Sequence, residues 1–250
     1  MTKINQALLN WTPGDIHGFE WLRKKGIKRR LAYFHVQTKV LKTVGPGVFG
    51  RSGDKLLWQA GVRFLQEELG VAVHVAARTA FELQGPAHNI PLGKRVIFLE
   101  SFEKNRLPPW FFKAKWDAKF IFRKSCLFKK EIHSVCLSEK SFDIDVASRE
   151  LALFEFIDRA DLKRSFEEVE NLMMGLVNLR TQVMQELLEK CQSVKVKRIL
   201  LYVAEKLELG FLKKINMKKI DLGKGKRVIC KSGVFDQKYS ITVPRNAGEQ

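Results

Sequence analysis

Apolar and polar positions alternate along the first fifty residues with two different periods. Ile4, Leu8 and Trp11 recur at helical spacing, which predicts a short helix over Lys3 to Trp11, broken by Thr12-Pro13-Gly14-Asp15. Asp15 is placed to cap a second helix over Ile16 to Lys25, with Ile16, Phe19 and Leu22 on its inner face and Gly26 as its stop. A third helix is expected over Lys28 to Gln37. On its wheel Ile27, Leu31 and Phe34 share a sector facing the second helix, with Arg29, Ala32, Tyr33 and Val36 opposite. Val40 to Val44 then alternates as a strand does, Gly45-Pro46-Gly47 makes a tight turn, and Val48-Phe49 begins a return strand. Three helices followed by a hairpin is the order of a winged helix-turn-helix, here spanning about 3–52.

Downstream, the pattern predicts a helix over Asp54 to Leu69 (Leu57, Gly61, Phe64 and Leu65 inward), a strand over Val71 to Val75 and a helix over Arg78 to Gln84. Pro91-Leu92-Gly93 is the expected boundary between an N-terminal domain, 1–93, and a C-terminal domain, 94–250. Beyond it, strands are expected at Arg95 to Leu99, Lys119 to Arg123 and Phe142 to Val146, with Pro108-Pro109-Trp110 as a rigid loop. Helices are expected from Ser148 through Ile157, then over Phe166 to Leu176, Arg180 to Cys191 and Val194 to Glu205, and the last forty residues show little pattern. The fold class predicted is α/β in the broad sense (α+β), a winged head followed by a mixed α/β part with a helical lobe.

Charge changes this picture. The chain carries +18, and the excess is at its ends: 11 Lys and Arg against 3 Asp and Glu up to Ala60, and 10 against 3 from Phe211 onward. Two basic lobes around a balanced centre suit a polyanion, because Lys and Arg displace counterions condensed on phosphate. Lys28, Arg29 and Arg30 crowd the first turn of the third helix, the part of a recognition helix that reaches base edges. Arg can bind guanine bidentately, and Tyr33 and Gln37 are neighbours for base or backbone. Lys42 and Arg51 flank the wing and are candidates for the adjacent phosphates, and His35 for the border of that face. Lys195, Lys197 and Arg198 form a second basic cluster at a helix start, suited to nucleic acid or an acidic partner.

No enzymatic constellation stands out. Gly45 to Gly50 lacks the Lys-Ser/Thr of a phosphate cradle. Asp143 and Asp145 share a strand face, as Mg²⁺-binding nuclease carboxylates can, but without the accompanying lysine. His17, His35, His74, His88 and His133 form no metal motif, and His74 is expected to pack in its strand. Cys126, Cys136, Cys191 and Cys230 include no C-x-x-C pair, so they read as buried free thiols, with no metal and no cofactor. Trp110, Phe111, Phe112 and Trp116 suit core packing better than stacking on unpaired bases. No segment reads as a membrane span or a signal peptide, so a cytoplasmic protein is expected.

Several stretches together carry a family resemblance. Ile4 through the wing, Val75 to Gly85, Ile144 to Leu153, Ser193 to Tyr202, Asp221 to Arg227 and Lys238 to Pro244 resemble, in order, the AbiEi antitoxins of type IV toxin–antitoxin systems. The resemblance implies an autorepressor that binds operator DNA, typically at inverted repeats, through its winged domain. It also implies a C-terminal domain that counters a cognate nucleotidyltransferase toxin without a stable complex. A metal-dependent nucleic-acid-processing enzyme and an RNA-binding module are the alternatives from the residues themselves.

Overall fold

A computed structural model of the chain describes residues 3–85, 95–104, 106–130, 132–162, 166–176, 178–230 and 233–244. The expected boundary at Pro91-Leu92-Gly93, and His88, lie outside them. Two compact units emerge, one from the described residues of Met1–Val75, Ala87–Lys124 and Val135–Val146, the other from those of Ala76–Pro86, Ser125–Ser134 and Ala147–Gln250.

The first unit begins with a winged head: α1 (Lys3–Leu9), β1 (Ile16–Gly18), α2 (Phe19–Lys24), α3 (Arg29–Gln37), β2 (Leu41–Gly45) and β3 (Val48–Arg51). Its core is Ile4, Ala7, Trp11, Leu22, Ile27, Ala32, Leu41 and Phe49. The turn between α2 and α3 follows from Gly26. At φ 77° it lets the Ile27 amide reach the Leu22 carbonyl (2.9 Å) and its own amide reach that of Arg23 (2.9 Å). These are the two bonds of a Schellman cap, and they leave Ile27 buried under the turn.

The head departs from expectation at Asp15, which caps no helix. Its Oδ1 accepts from the next amide, Ile16 N (2.7 Å), and from Arg63 Nη2 (2.9 Å). Ile16-His17-Gly18 extends instead and pairs antiparallel with β3, so the wing is a three-stranded sheet in the order β1-β3-β2.

The helix expected over Asp54 to Leu69 starts later, as α4 (Trp58–Arg63), and widens into a π turn over Phe64–Glu68. Asp54 is committed elsewhere, accepting from Gly14 N (2.9 Å), and the Trp58 amide takes its acceptor from Asp117 Oδ1 (2.7 Å), far along the chain. A five-stranded sheet completes the unit: β4 (His74–Val75), β5 (Arg95–Ser101), β6 (Ala118–Lys124), β7 (Ser134–Glu139) and β8 (Phe142–Ala147), ordered β6-β5-β4-β8-β7. Of the strand expected over Val71 to Val75 only β4 pairs, His74 is buried in it, and β7 had no sequence signal. Pro108-Pro109-Trp110 is not a loop. Pro109 opens α6 (Pro109–Lys113), because its fixed φ suits a first helical position that needs no N–H donor.

The second unit is mainly helical: α5 (Ala77–Gln84), α7 (Arg149–Arg159), α8 (Phe166–Met174), α9 (Thr181–Lys190) and α10 (Val194–Lys206). The Ser148 and Ser193 side chains cap α7 and α10 by accepting from Leu151 N and Val196 N, both at 3.3 Å. Residues Leu151 to Ile157 are all buried, so α7 is the unit's spine. The last stretch, patternless in sequence, forms two 3₁₀ turns (Gly210–Lys214 and Met217–Lys219) and a small sheet of β9 (Arg227–Val228), β10 (Val234–Asp236) and β11 (Ile241–Val243), with β11 central.

Of the four thiols expected to be buried, Cys191 is; Cys230 is partly so, while Cys126, just after β6, and Cys136, within β7, are exposed. Phe111 and Trp116 are in the core as expected, but Phe112 faces solvent. No helix among the described residues is long and apolar enough to cross a membrane.

Candidate nucleic-acid interface

Helix α3 sets the geometry of the head's outer surface. Ala32 and His35 are buried and Val36 packs on the core. On a helical wheel Arg30, Phe34 and Gln37 fall opposite them, with Tyr33 and Leu31 on the flanks, and all five are exposed. This is not the face expected from the sequence, which had Leu31 and Phe34 inward and Ala32 and Val36 outward. That phase was anchored on Ile27, which belongs to the preceding turn and not to the helix. Once Ile27 is removed, the small Ala32 is the residue that allows α3 to approach Leu22, Leu41 and Phe49.

Lys28 stands just before α3 with extended backbone, and Arg29 and Arg30 open the helix; all three are exposed, and no acidic side chain accompanies them in the first turn. The Arg29 guanidinium leans over the Phe19 ring, 6.0 Å from its centroid. Tyr33 meets Phe49 edge-on at 5.7 Å between centroids, which leaves its outer edge in solvent. His35 faces inward, and burial lowers its pKa, so it is a neutral core group and not a border of the outer face.

The wing cations behave differently. Arg51 Nη1 donates to the Trp11 carbonyl (3.1 Å), and its Nε is 3.5 Å from Asp54 Oδ2. Lys42 Nζ donates to the Asp54 carbonyl. Both are half-buried stitches that retain only part of their donor capacity for an outside anion. Sequence reasoning missed their surroundings. Lys42, Lys55, Lys113 and Lys115 rim a concavity of about 450 Å³ beside β2, floored by Val44, Leu56 and Ala114, with Asp54 as the one carboxylate among the described lining residues. Lys113 and Lys115 come from a distant segment, so no local pattern could have joined them to the wing. That segment also props the wing: Trp110 lies so close to Gly45 that a Cβ there would stand 2.4 Å from the indole.

Behind the wing, β1 is tied to the π turn by a buried charge network. Arg63 Nη2 donates to Asp15 Oδ1 (2.9 Å), Ile16 O (2.6 Å) and Glu68 Oε1 (3.1 Å), and its Nη1 to Glu67 Oε2 (3.1 Å). His17 sits 2.7 Å from Glu68 and stacks flat on Trp21, with centroids 3.7 Å apart. Burial raises the Asp15 pKa despite Arg63 and His17 beside it. Burial would also raise that of Glu68, but hydrogen bonds from His17 and the Gly18 amide outweigh it and hold the carboxyl low. The network contains no nucleophile; it fixes the register of β1 against the helix.

The second basic cluster does not present a cationic face. Lys197 and Arg198 are each 3% exposed, and only Lys195 reaches the surface, in part. The Arg198 guanidinium is filled by backbone carbonyls: Leu222 (2.8 Å), Gly225 (2.7 Å), Gly223 (3.0 Å) and Ser240 (3.0 Å). Helical periodicity had placed Val196, Ile199, Leu200 and Val203 inward. It gave no sign that the other side of α10 would meet Leu222, Gly223, Gly225 and Ser240.

Asp143 and Asp145 do share the outer face of β8. Asp143 accepts from the Ser138 hydroxyl, and the Asp145 amide donates to Gln66 Oε1 (2.9 Å). Among the described residues no group of three His, Cys, Asp or Glu side chains gathers as a metal site.

The sequence matches two family models. Residues 1–92 match the one described as "Transcriptional regulator, AbiEi antitoxin N-terminal domain", and residues 94–244 the one described as "Transcriptional regulator, AbiEi antitoxin, Type IV TA system". The chain belongs to the AbiEi antitoxin family. This AbiEi protein is also similar in fold to a solved structure, that of the RV2827C protein from Mycobacterium tuberculosis. The match has a TM-score of 0.61 and 12% identity and covers 96% of this chain and 90% of that one. Among curated proteins nothing matches by sequence.

Proposed function

We propose that this AbiEi protein represses its own operon by binding operator DNA, most naturally as inverted repeats, through the winged head, and counters a cognate nucleotidyltransferase toxin through its C-terminal part without a lasting complex. The head is assigned to residues 1–93 and the antitoxin task to 94–250. The protein acts in the cytoplasm and is a regulator, not an enzyme. One observation carries the DNA reading: the exposed, acid-free cationic start of α3 on a winged head. In such a head this end of the helix enters the major groove, where Arg30 can take guanine bidentately, and Gln37, two turns on along the same face, can take adenine. The helix N-terminus itself favours phosphate. Tyr33 is within the same face for backbone or base. Lys42, Arg51 and the lysine-rimmed concavity would then meet phosphates beside the wing, adding affinity without sequence choice.

The test is a gel-shift titration of the promoter preceding the protein's own reading frame. Replacing Lys28, Arg29 and Arg30 together by Gln should abolish specific binding and leave the melting curve unchanged. A folded triple variant with undiminished operator affinity would overturn the assignment.

A further inference from the structure

The outward face of α3 is not only cationic. Phe34 is 52% exposed on the side away from the core, next to Arg30 on the wheel, and Leu31 is 36% exposed on the flank beside it. The core is already complete without them: Ala32, His35 and Val36 fill the inner side. An apolar pair beside Arg30 and Gln37, on a helix without any Asp or Glu, suits a surface that is itself anionic at its edges and carries isolated apolar groups within. The major groove of DNA is such a surface, because thymine displays a C5 methyl between the phosphate-lined walls.

We infer that Phe34, flanked by Leu31, reads thymine methyl groups in the operator, so that sequence choice rests on an apolar contact as well as on the Arg30 and Gln37 hydrogen bonds. This rests on the regulator reading above and goes beyond it by naming what the apolar face recognises. Burying one methyl-sized group contributes about 0.8 kcal/mol, which is roughly fourfold in affinity. A duplex of the protein's own promoter is first footprinted with the full chain. Each thymine in the protected stretch is then replaced singly by deoxyuridine, which deletes the methyl and keeps every hydrogen-bonding group.

The expected result is a loss of about fourfold at one or two thymines per half-site. Phe34→Ala should bind the unmodified duplex more weakly and show no further loss on the deoxyuridine duplexes, while Leu31→Ala keeps part of the effect. Both side chains are solvent-facing, so both variants should fold as the parent does. Specific binding that is indifferent to every deoxyuridine overturns the methyl contact while leaving the regulator reading intact. Absence of any specific duplex overturns both. If Phe34→Ala changes the sedimentation mass of the DNA-free protein, the apolar face is an interface between copies, and the inference fails.

Discussion

Replacing Arg198 by Met should release the C-terminal sheet from α10. The side chain donates four hydrogen bonds to carbonyls of Leu222, Gly223, Gly225 and Ser240, and no carboxylate among the described residues pairs with it. Burial, with Arg227 nearby, even lowers its pKa, so the carbonyl dipoles are what hold the cation there. A hydrogen bond to a charged group contributes about 1.5–3 kcal/mol. Gly223 and Gly225 are exposed, so their carbonyls regain water when the guanidinium leaves, and the low end of the range applies. With non-additivity among four bonds on one group, the expected loss is about 3 kcal/mol, or roughly 10 °C for a unit of this size. Because the bonds converge on one short stretch, unfolding should start there. Amide hydrogen exchange is the assay: protection at Ile229 and Ile241 should fall in Arg198→Met well before that of α7, with Arg198→Lys intermediate. Unchanged exchange in Arg198→Met would refute this.

Other consequences are equally open to measurement. Gly45→Ala drives a Cβ toward the Trp110 indole, at 2.4 Å before relaxation, so it should cost about 1–3 kcal/mol and weaken operator binding by tilting the wing; equal melting temperature and affinity would refute it. Glu150 is buried, which alone would raise its pKa, but hydrogen bonds from Arg180 outweigh burial and hold it below the ordinary 4.5. A depressed folded pKa gives stability that is present above that value and lost as pH falls through the folded one. Acid titration monitored by circular dichroism should therefore show Glu150→Gln less stable at neutral pH and flatter in its acid dependence. Iodoacetamide on the native protein should label Cys126 and Cys136, whereas Cys191, buried with its pKa pushed up to about 11, should react only after unfolding; mass spectrometry of the peptides decides.

Much of the fold was legible because helical and strand periods depend on local burial alone. The helix start at Ser148, the stop at Gly26 and the hairpin around Gly45-Pro46-Gly47 all appear where composition expects them. What escaped were partners supplied from afar. Asp15 looked like a cap until Arg63 claimed it, and the helix after Asp54 waited for Asp117. The cationic residues 28–30 were found in place, yet the helix was turned, because Ile27 carries the hydrophobic phase without being helical. Arg198 was misplaced for a related reason. A wheel distinguishes the face against one neighbour from the rest, and it cannot foresee a second neighbour that covers the other side.

Trp110 against Gly45 has a practical meaning. The indole is a spacer inserted from downstream sequence, and it fixes the angle at which the hairpin leaves the helices. A truncation after residue 93 would keep α3 but discard the wedge that aims the hairpin, together with Lys113 and Lys115 of the concavity beside it. Such a fragment should still recognise bases through α3 while gripping the flanking backbone poorly, so deletion mapping would understate how much of the chain takes part in repression.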